Sequence, residues 1–364
     1  MSAHITELDD GMRQGSIHLG APIISALLLL TEMKKFNGKD LLRGIIVGYE
    51  AAIRLASGIQ LSHRNKGFHA TGTIGTIGVA MAVVAAHGYI RDQFKNALSA
   101  GATGATGMLN WIKGSSEPKP FNAGQASVSG LLTALTANAD FKGSEDVLSG
   151  KWGFLEMMTD QIKPDLLVRK HGDDLCIGKV YIKPYTACRH CHSVIDAALI
   201  IRNKHGLLLE EVKSVKVATY NLAVGGHDHN SINGLTSAKM STPFSVAVAL
   251  QTGKAGIQEF SDETLNNNAI LALTQKISVI EDNNLSALVP QKRPAIIKIQ
   301  TINNKLFTKR IDQTKGKPEN PLTDKELKEK FVSLAEYAGK SENEIQQIIK
   351  HVATIGNKLN HLLF

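Results

Sequence analysis

The chain is short of the residues that announce a function at once. Of its 364 residues three are cysteine, Cys176, Cys188 and Cys191. So small and odd a number builds no disulfide framework and suits a reducing compartment. Aromatic residues make up 5%, which argues against an aromatic-rich β-sandwich. Lysine and arginine form no arginine-rich block and no aromatic-interleaved stripe, which argues against nucleic-acid recognition. The longest apolar run, Ile23 to Leu30, is far too short to span a bilayer. The opening residues, MSAHITELDDGMRQG, are acidic and polar and do not read as a secretory signal. A cytoplasmic protein without membrane contact is expected. Repeats and low-complexity segments are absent.

What the chain does have is glycine, 32 residues of it, within an ordinary globular composition of 43% hydrophobic and 20% charged residues. Small residues favour closely packed helices, and the length accommodates two domains with separate cores. The net charge of +8 reads as a solvated basic surface or as attraction for polyanionic substrates.

Helical spacing predicts helices over Ala21–Phe36, with Pro22 in the first turn, and over Lys39–Ile59. A wholly apolar and therefore central helix is predicted over Thr73–His87. Shorter helices follow over Arg91–Ala102, Gln125–Ala137 and Trp152–Thr159. Near residue 175 the character changes. Cys176–Tyr185 reads as a strand, His192–Lys204 as a helix and Val212–Val224 as a strand, together a β-α-β unit. Thr236–Thr252 reads as helical. Ala295–Ile302 and Lys305–Ile311 form a hairpin about Asn303-Asn304. From Thr323, with Glu326 completing a capping box, the chain is helical again, through Glu344–Leu363. Boundaries fall near 178 and 320, with GKPENP (Gly316–Pro321) as the second linker.

Four clusters carry chemistry. HITELDDGMRQGSIHLGAP gathers His4, Glu7, Asp9, Asp10 and His18, where an acid beside a histidine can orient a base; capping of the next helix is the structural alternative. In GFHATGTIGTIG, His69 precedes a helix whose first amides favour an anion and whose Gly72, Gly75 and Gly78 permit close backbone approach. Lys119 lies between Pro118 and Pro120 in a loop, held for a carboxylate or simply solvated. IKPYTACRHCH packs Lys183, Arg189, His190 and His192 into one turn suited to carboxylates. Lys239 is a further candidate cation for substrate binding. Cys188 and Cys191 among these histidines invite a metal, with Cys176 as a third thiol for an iron–sulfur cluster, but no second ligand pair stands at convincing spacing. Apolar packing of the cysteines is the expectation, with no metal. GHDHN (Gly226–Asn230) reads as a polar loop or lid.

GFHATGTIGTIG, KPYTACRHCHSVIDAAL and HITELDDG…IHLGAP together resemble the MmgE/PrpD family, through nearly the whole chain and in the family's order. That family includes 2-methylcitrate dehydratase, cis-aconitate decarboxylase and iminodisuccinate epimerase. The resemblance implies a mainly α plus α+β protein: a helical domain (1–178 and 320–364) and a smaller α+β lid domain (179–319), with the C-terminal helices returning to the first. It implies a homodimer, no organic or metal cofactor, and an active site in the interdomain cleft for a small di- or tricarboxylate. His18, His69, Lys119 and Lys183 fall on the family's active-site histidines and lysines, and Glu7 falls where several members carry aspartate. The implied reaction removes a proton next to a carboxylate and then loses water or carbon dioxide, or reprotonates. His69 or His18 would be the base, with Asp10 in the catalytic set. Lys119, Lys183 and Arg189 would hold carboxylates, and an isoleucine- and alanine-rich wall would accept a methyl branch. Gly11 stands where some members have threonine, and Phe244 where members often carry tyrosine. Relatives also carry several helices ahead of the DD motif, on which this chain almost starts. That suggests a shortened start, or helices replaced by partner contacts.

Overall fold

The computed structural model describes residues 1–34, 36–110, 118–139 and 141–356. A short α1 (Ser2–Ile5) leads into a two-residue strand, β1 (Asp10–Gly11). Then come α2 (Gly20–Lys34), α3 (Gly38–Ile59), the single turn α4 (Ser62–Asn65), α5 (Ala70–His87), α6 (Arg91–Thr103) and α7 (Pro118–Ala137). Asn37 starts α3 by accepting from the Lys39 and Asp40 amides, two of the donors a helix start leaves unpaired.

Helix α5 is the axis of this half. Every residue from Ala70 to Ala86 is buried, as expected of a helix apolar on all sides. Among the described residues it is the one helix long and apolar enough to cross a membrane, and it lies inside the protein. It packs against α2, α3, α6 and α7. Glycine sets the spacing of α3 and α5. A Cβ on Gly48 would lie 2.6 Å from the Ala82 Cβ, and one on Gly78 would lie 2.8 Å from the Ala52 Cβ. On Gly72 it would meet the Gly107 Cα at 2.9 Å. Gly75 differs from the expectation, since its nearest neighbour would be 3.4 Å away, an ordinary contact.

Beyond residue 175 come β2 (Tyr181–Ile182), α8 (His192–His205), β3 (Val212–Thr219), α9 (Gly234–Met240), α10 (Thr242–Thr252), α11 (Asn268–Thr274), β4 (Ile277–Glu281), β5 (Ala295–Thr301) and β6 (Leu306–Ile311). The sheet order is β4-β3-β5-β6, with β3 and β4 parallel and the other pairs antiparallel. Val212, Val215, Val217 and Thr219 of β3 are buried, and Ala187 to Ile299 supply a second core separate from that around α5. The chain ends in α12 (Asp324–Tyr337) and α13 (Glu342–Ala353). Thr323 and Glu326 form the expected capping box. Lys330 of α12 donates to the Leu8 carbonyl at 2.6 Å, and Ile355 packs onto the first core.

Several expectations are corrected. Cys176–Tyr185 is not a strand: Cys176–Lys179 is a 3₁₀ turn, and the two strand residues after it pair with β1 rather than with the large sheet. The expected β-α-β unit therefore does not form. The parallel pair is β3 with β4, linked through α9, α10 and α11. Helix Thr236–Thr252 breaks at Ser241, whose hydroxyl accepts from the Phe244 amide and caps α10. Residues 357–363 of the last predicted helix lie outside the described residues.

Candidate active site

Two residues of pairing assemble the site. Asp10 faces Ile182 and Gly11 faces Tyr181 across the antiparallel β1–β2 pair, which lays the DDG segment against the KPY segment. Gly11 is required there, because a Cβ would collide with the Tyr181 hydroxyl. The chain then turns through a Met12–Ile17 bridge to His18. The His18 amide donates to the Thr71 hydroxyl in the first turn of α5 at 3.1 Å. This turn of α5 therefore holds the His18 backbone in place.

Behind the cleft lies a buried layer of charge. The Lys183 ammonium, 0% exposed, donates to Glu7 Oε2 at 2.7 Å and to Asp9 Oδ1 at 2.9 Å. Lys119 pairs with the other Glu7 oxygen. Glu7 holds φ 55°, a left-handed conformation that costs a non-glycine residue about 1 kcal/mol or more. Two ion pairs hold it there. Asp9 Oδ2 accepts from His4 Nδ1 at 2.6 Å and from His18 Nδ1 at 3.1 Å. Burial alone would raise the Asp9 pKa, but His18, Lys183 and His4 together hold it well below the usual carboxylate range. Asp10 turns the other way. Its oxygens accept from the Gly20 amide at 2.8 Å and the Tyr49 hydroxyl at 2.7 Å, so it starts α2 and braces α3. Burial and the neighbouring Asp9 raise its pKa.

The cleft in front of this layer opens to solvent. His18, His69, Lys119 and Arg189 line it, with Arg64, Tyr181, Cys188, His190, His227 and Arg293. No carboxylate lines it among the described residues. Its apolar lining is limited to Leu222 and Met240, so the expected isoleucine- and alanine-rich wall is not there.

The two histidines are held by opposite partners. His18 Nδ1 lies 2.7 Å from the Asp10 carbonyl as well as 3.1 Å from the Asp9 carboxylate. Both are acceptors, so Nδ1 carries a proton. At His69 the Asn122 amide nitrogen lies 3.1 Å from Nδ1 and 3.1 Å from the Met108 carbonyl. That carbonyl fixes the amide's orientation, so Nδ1 accepts and Nε2 carries the hydrogen. Burial, then His4 and His18, hold His69 well below the usual histidine pKa and so neutral. Burial and Lys183 push Lys119 down to about 7.

On the far wall Cys188 Sγ lies 3.8 Å from His227 Nε2, and His227 Nδ1 donates to the Met240 carbonyl at 2.8 Å. Burial works against the thiolate, but His227 outweighs it, holding Cys188 well below and His227 above their ordinary values. Donor atoms of Cys188, His190 and His227 lie within 4.8 Å of one another, as do those of His4, Asp9 and His18. These are the described groups that could ligate a metal. The first sits among Arg64, Arg293 and Lys119, which repel a dication, and its thiolate already has the His227 imidazolium as partner. His227 of GHDHN therefore belongs to the cleft wall and not to a polar loop or lid. The other cysteines are inert: Cys176 is buried, and burial followed by Cys188 pushes Cys191 up to about 12.

Of the residues expected from the sequence, His18, His69, Lys119 and Arg189 reach the cleft. Glu7 and Lys183 stand behind it as the ion-paired layer. Asp10 is corrected to a helix-starting residue, and Asp9 takes its place beside the histidines. His192 is corrected too: fully buried, it accepts from the Arg189 guanidinium at 2.9 Å and donates to the Ala187 carbonyl at 3.0 Å, so it positions Arg189. Lys239 donates to the Ile5 carbonyl at 3.0 Å and ties α9 to α1 outside the cleft. Lys119 sits in the first turn of α7, not in a loop. Phe244 is buried in the second core against Phe260, and the phenol at the cleft is that of Tyr181. Arg64, Arg293 and Asn122 were missed. Each lies in a polar stretch without a motif, and only the fold aims them.

A two-core chain whose cleft combines two histidines with lysine and arginine has the makings of an acid–base site for anions. The MmgE/PrpD N-terminal domain matches residues 1–167 and the MmgE/PrpD C-terminal domain matches residues 185–354; the chain belongs to the MmgE/PrpD family. It is 23% identical over 357 residues to a cis-aconitate decarboxylase of Aspergillus terreus, covering 91% of this chain and 72% of that protein. To the mouse (Mus musculus) cis-aconitate decarboxylase it is 23% identical, covering all of this chain and 74% of the relative. It is 22% identical to a mitochondrial 2-methylcitrate dehydratase of Yarrowia lipolytica, covering 70% of this chain and half of that protein.

Proposed function

We propose that the chain is a lyase that removes a proton next to a carboxylate of a small di- or tricarboxylate and eliminates water, needing no cofactor. The observation that carries this reading is the pair of cleft histidines held by opposite partners, His18 Nδ1 against the Asp9 carboxylate and His69 Nδ1 against the Asn122 amide. His18, backed by the ionised Asp9, is the base and acts through Nε2. It takes the proton from the carbon beside the carboxylate, and Lys119 and Arg189 stabilise the enolate-like charge. His69 Nε2–H hydrogen-bonds the departing hydroxyl, and the Lys119 ammonium gives it a proton, so that it leaves as water while the carbon–carbon double bond forms. Asn122 keeps His69 in the donating form.

A second reading is decarboxylation on the same scaffold, favoured by the relatives named cis-aconitate decarboxylases. There the carbon–carbon bond to a carboxylate breaks, carbon dioxide leaves, and a histidine protonates the carbanion. Epimerisation would use the same first step. The experiment offers the chain 2-methylcitrate and cis-aconitate and follows alkene formation, carbon dioxide release and stereochemistry. Water loss is expected, reduced about 100-fold or more in His18→Gln. Turnover unchanged in that variant would remove His18 as base. Carboxylate binding without turnover of any acid would make the chain a binding or assembly member. The proposal includes a homodimer.

A further inference from the structure

Three arginines reach the cleft from its two sides. Arg64 comes from α4 in the first half, while Arg189 and Arg293 come from the second, after β2 and just before β5. Arg189 is held in place by neutral groups: the Lys315 carbonyl at 3.1 Å, the Thr314 hydroxyl at 2.8 Å, and the Tyr181 ring 4.6 Å beneath. The Arg64 and Arg293 guanidinium groups make no hydrogen bond or ion pair with the described residues. Burial lowers the Arg64 pKa, Cys188 raises it, and Arg293 lowers it again.

The charges do not cancel. Glu7 and Asp9 are engaged by Lys119, Lys183 and the histidines. Asp196 accepts from the Tyr185 hydroxyl at 2.5 Å and the Lys315 amide at 2.9 Å. Cys188 is matched by His227. Three guanidinium charges therefore face a cleft that no carboxylate lines among the described residues and whose Cys188 is already paired with His227. Arginine forks accept carboxylates bidentately, and holding like charges together is favourable only when an anion lies between them.

We infer that Arg64, Arg189 and Arg293 form a carboxylate-binding site additional to the one beside His18, His69 and Lys119, so that the ligand is a tricarboxylate linking the two halves of the chain. This rests on the reading of the cleft as a carboxylic-acid site. Neither Arg64 nor Arg293 touches the reacting carbon; they choose the acid. A dicarboxylate leaves guanidinium charge unmatched and binds more weakly.

The test uses two inert acids on the same five-carbon backbone: propane-1,2,3-tricarboxylate and glutarate, which lacks the central carboxylate. Calorimetric titration of the full chain is expected to show the tricarboxylate binding ~10–100-fold more tightly. Arg64→Gln and Arg293→Gln should each weaken it about 10-fold and leave glutarate within about 3-fold. Arg64→Lys and Arg293→Lys, which keep the charge and a full-size side chain, should fall between. Equal affinities for the two acids, equal losses for both acids in the variants, or wild-type tricarboxylate binding in the Gln variants would each overturn the inference. Because binding is read without turnover, the two readings can fail separately. Tricarboxylate selectivity in a chain that turns nothing over would sink the lyase and leave this site standing. Turnover of a tricarboxylate with unchanged KM in the Arg64→Gln, Arg293→Gln double variant would do the reverse.

Discussion

Adjacent acids with opposite duties show how much a single position decides. Asp9 and Asp10 are chemically identical in the sequence, but they find different partners. Asp9 meets the histidines and Asp10 the start of α2. Asp9→Asn should lower kcat about 100-fold through loss of the ionised partner of His18. Asp10→Asn should cost about 1–3 kcal/mol of stability, with kcat little changed, because it disturbs buried acceptors for Gly20 and Tyr49. Turnover and thermal unfolding of both variants separate these outcomes. The depressed pKa of Asp9 also fixes a sign. Its contribution to stability is present above the ordinary value of 3.8 and lost as pH falls toward its folded value, so Asp9→Asn should flatten the acid limb of the unfolding curve. Cys188 offers a reactivity test. A thiol of ordinary pKa becomes more reactive as pH rises toward 9, whereas one held low is already a thiolate. Alkylation of Cys188, followed by mass spectrometry, should vary little between about pH 6 and 9. In His227→Gln it should recover the ordinary rise.

At the scale of elements, helix contact depends on where glycine stands. Gly48 is pressed against Ala82, and a methyl group there forces α3 and α5 apart. Gly48→Ala should cost about 1–3 kcal/mol. Gly75→Ala meets only ordinary contacts and gains helix propensity, so it should be neutral or stabilising by up to about 1 kcal/mol. Thermal melts of the two variants give the comparison, and equal losses would show that Gly48 and Gly75 are interchangeable. Gly48, Gly75 and Gly78 look equivalent in the sequence. The difference lies in which helix passes over each one.

For the whole molecule, α7 presents Phe121, Val128, Leu132 and Leu135 to solvent. Four large apolar residues on one helix form a surface that water does not favour. If a second copy covers it, as the proposed homodimer requires, light scattering should give twice the chain mass. Val128→Glu with Leu132→Glu should then yield monomers without loss of helix content. A wild-type monomer would remove the homodimer from the proposal.

The sequence by itself determined the elements whose signals are local. Thr323 with Glu326, the Asn303-Asn304 turn and the apolar run that became α5 depend on neighbours within a few residues, and each is present. It also delivered His18, His69, Lys119 and Arg189, because they lie in motifs that can be read in order. The tertiary structure alone decided which groups face one another. It turned Asp10 away and Asp9 inward, and drew His192 behind Arg189. It brought His227 to Cys188 and carried Arg64 and Arg293, more than 200 residues apart, to the same cleft. Tautomer and charge balance depend on distances of about 3 Å between such groups, and no local pattern encodes them.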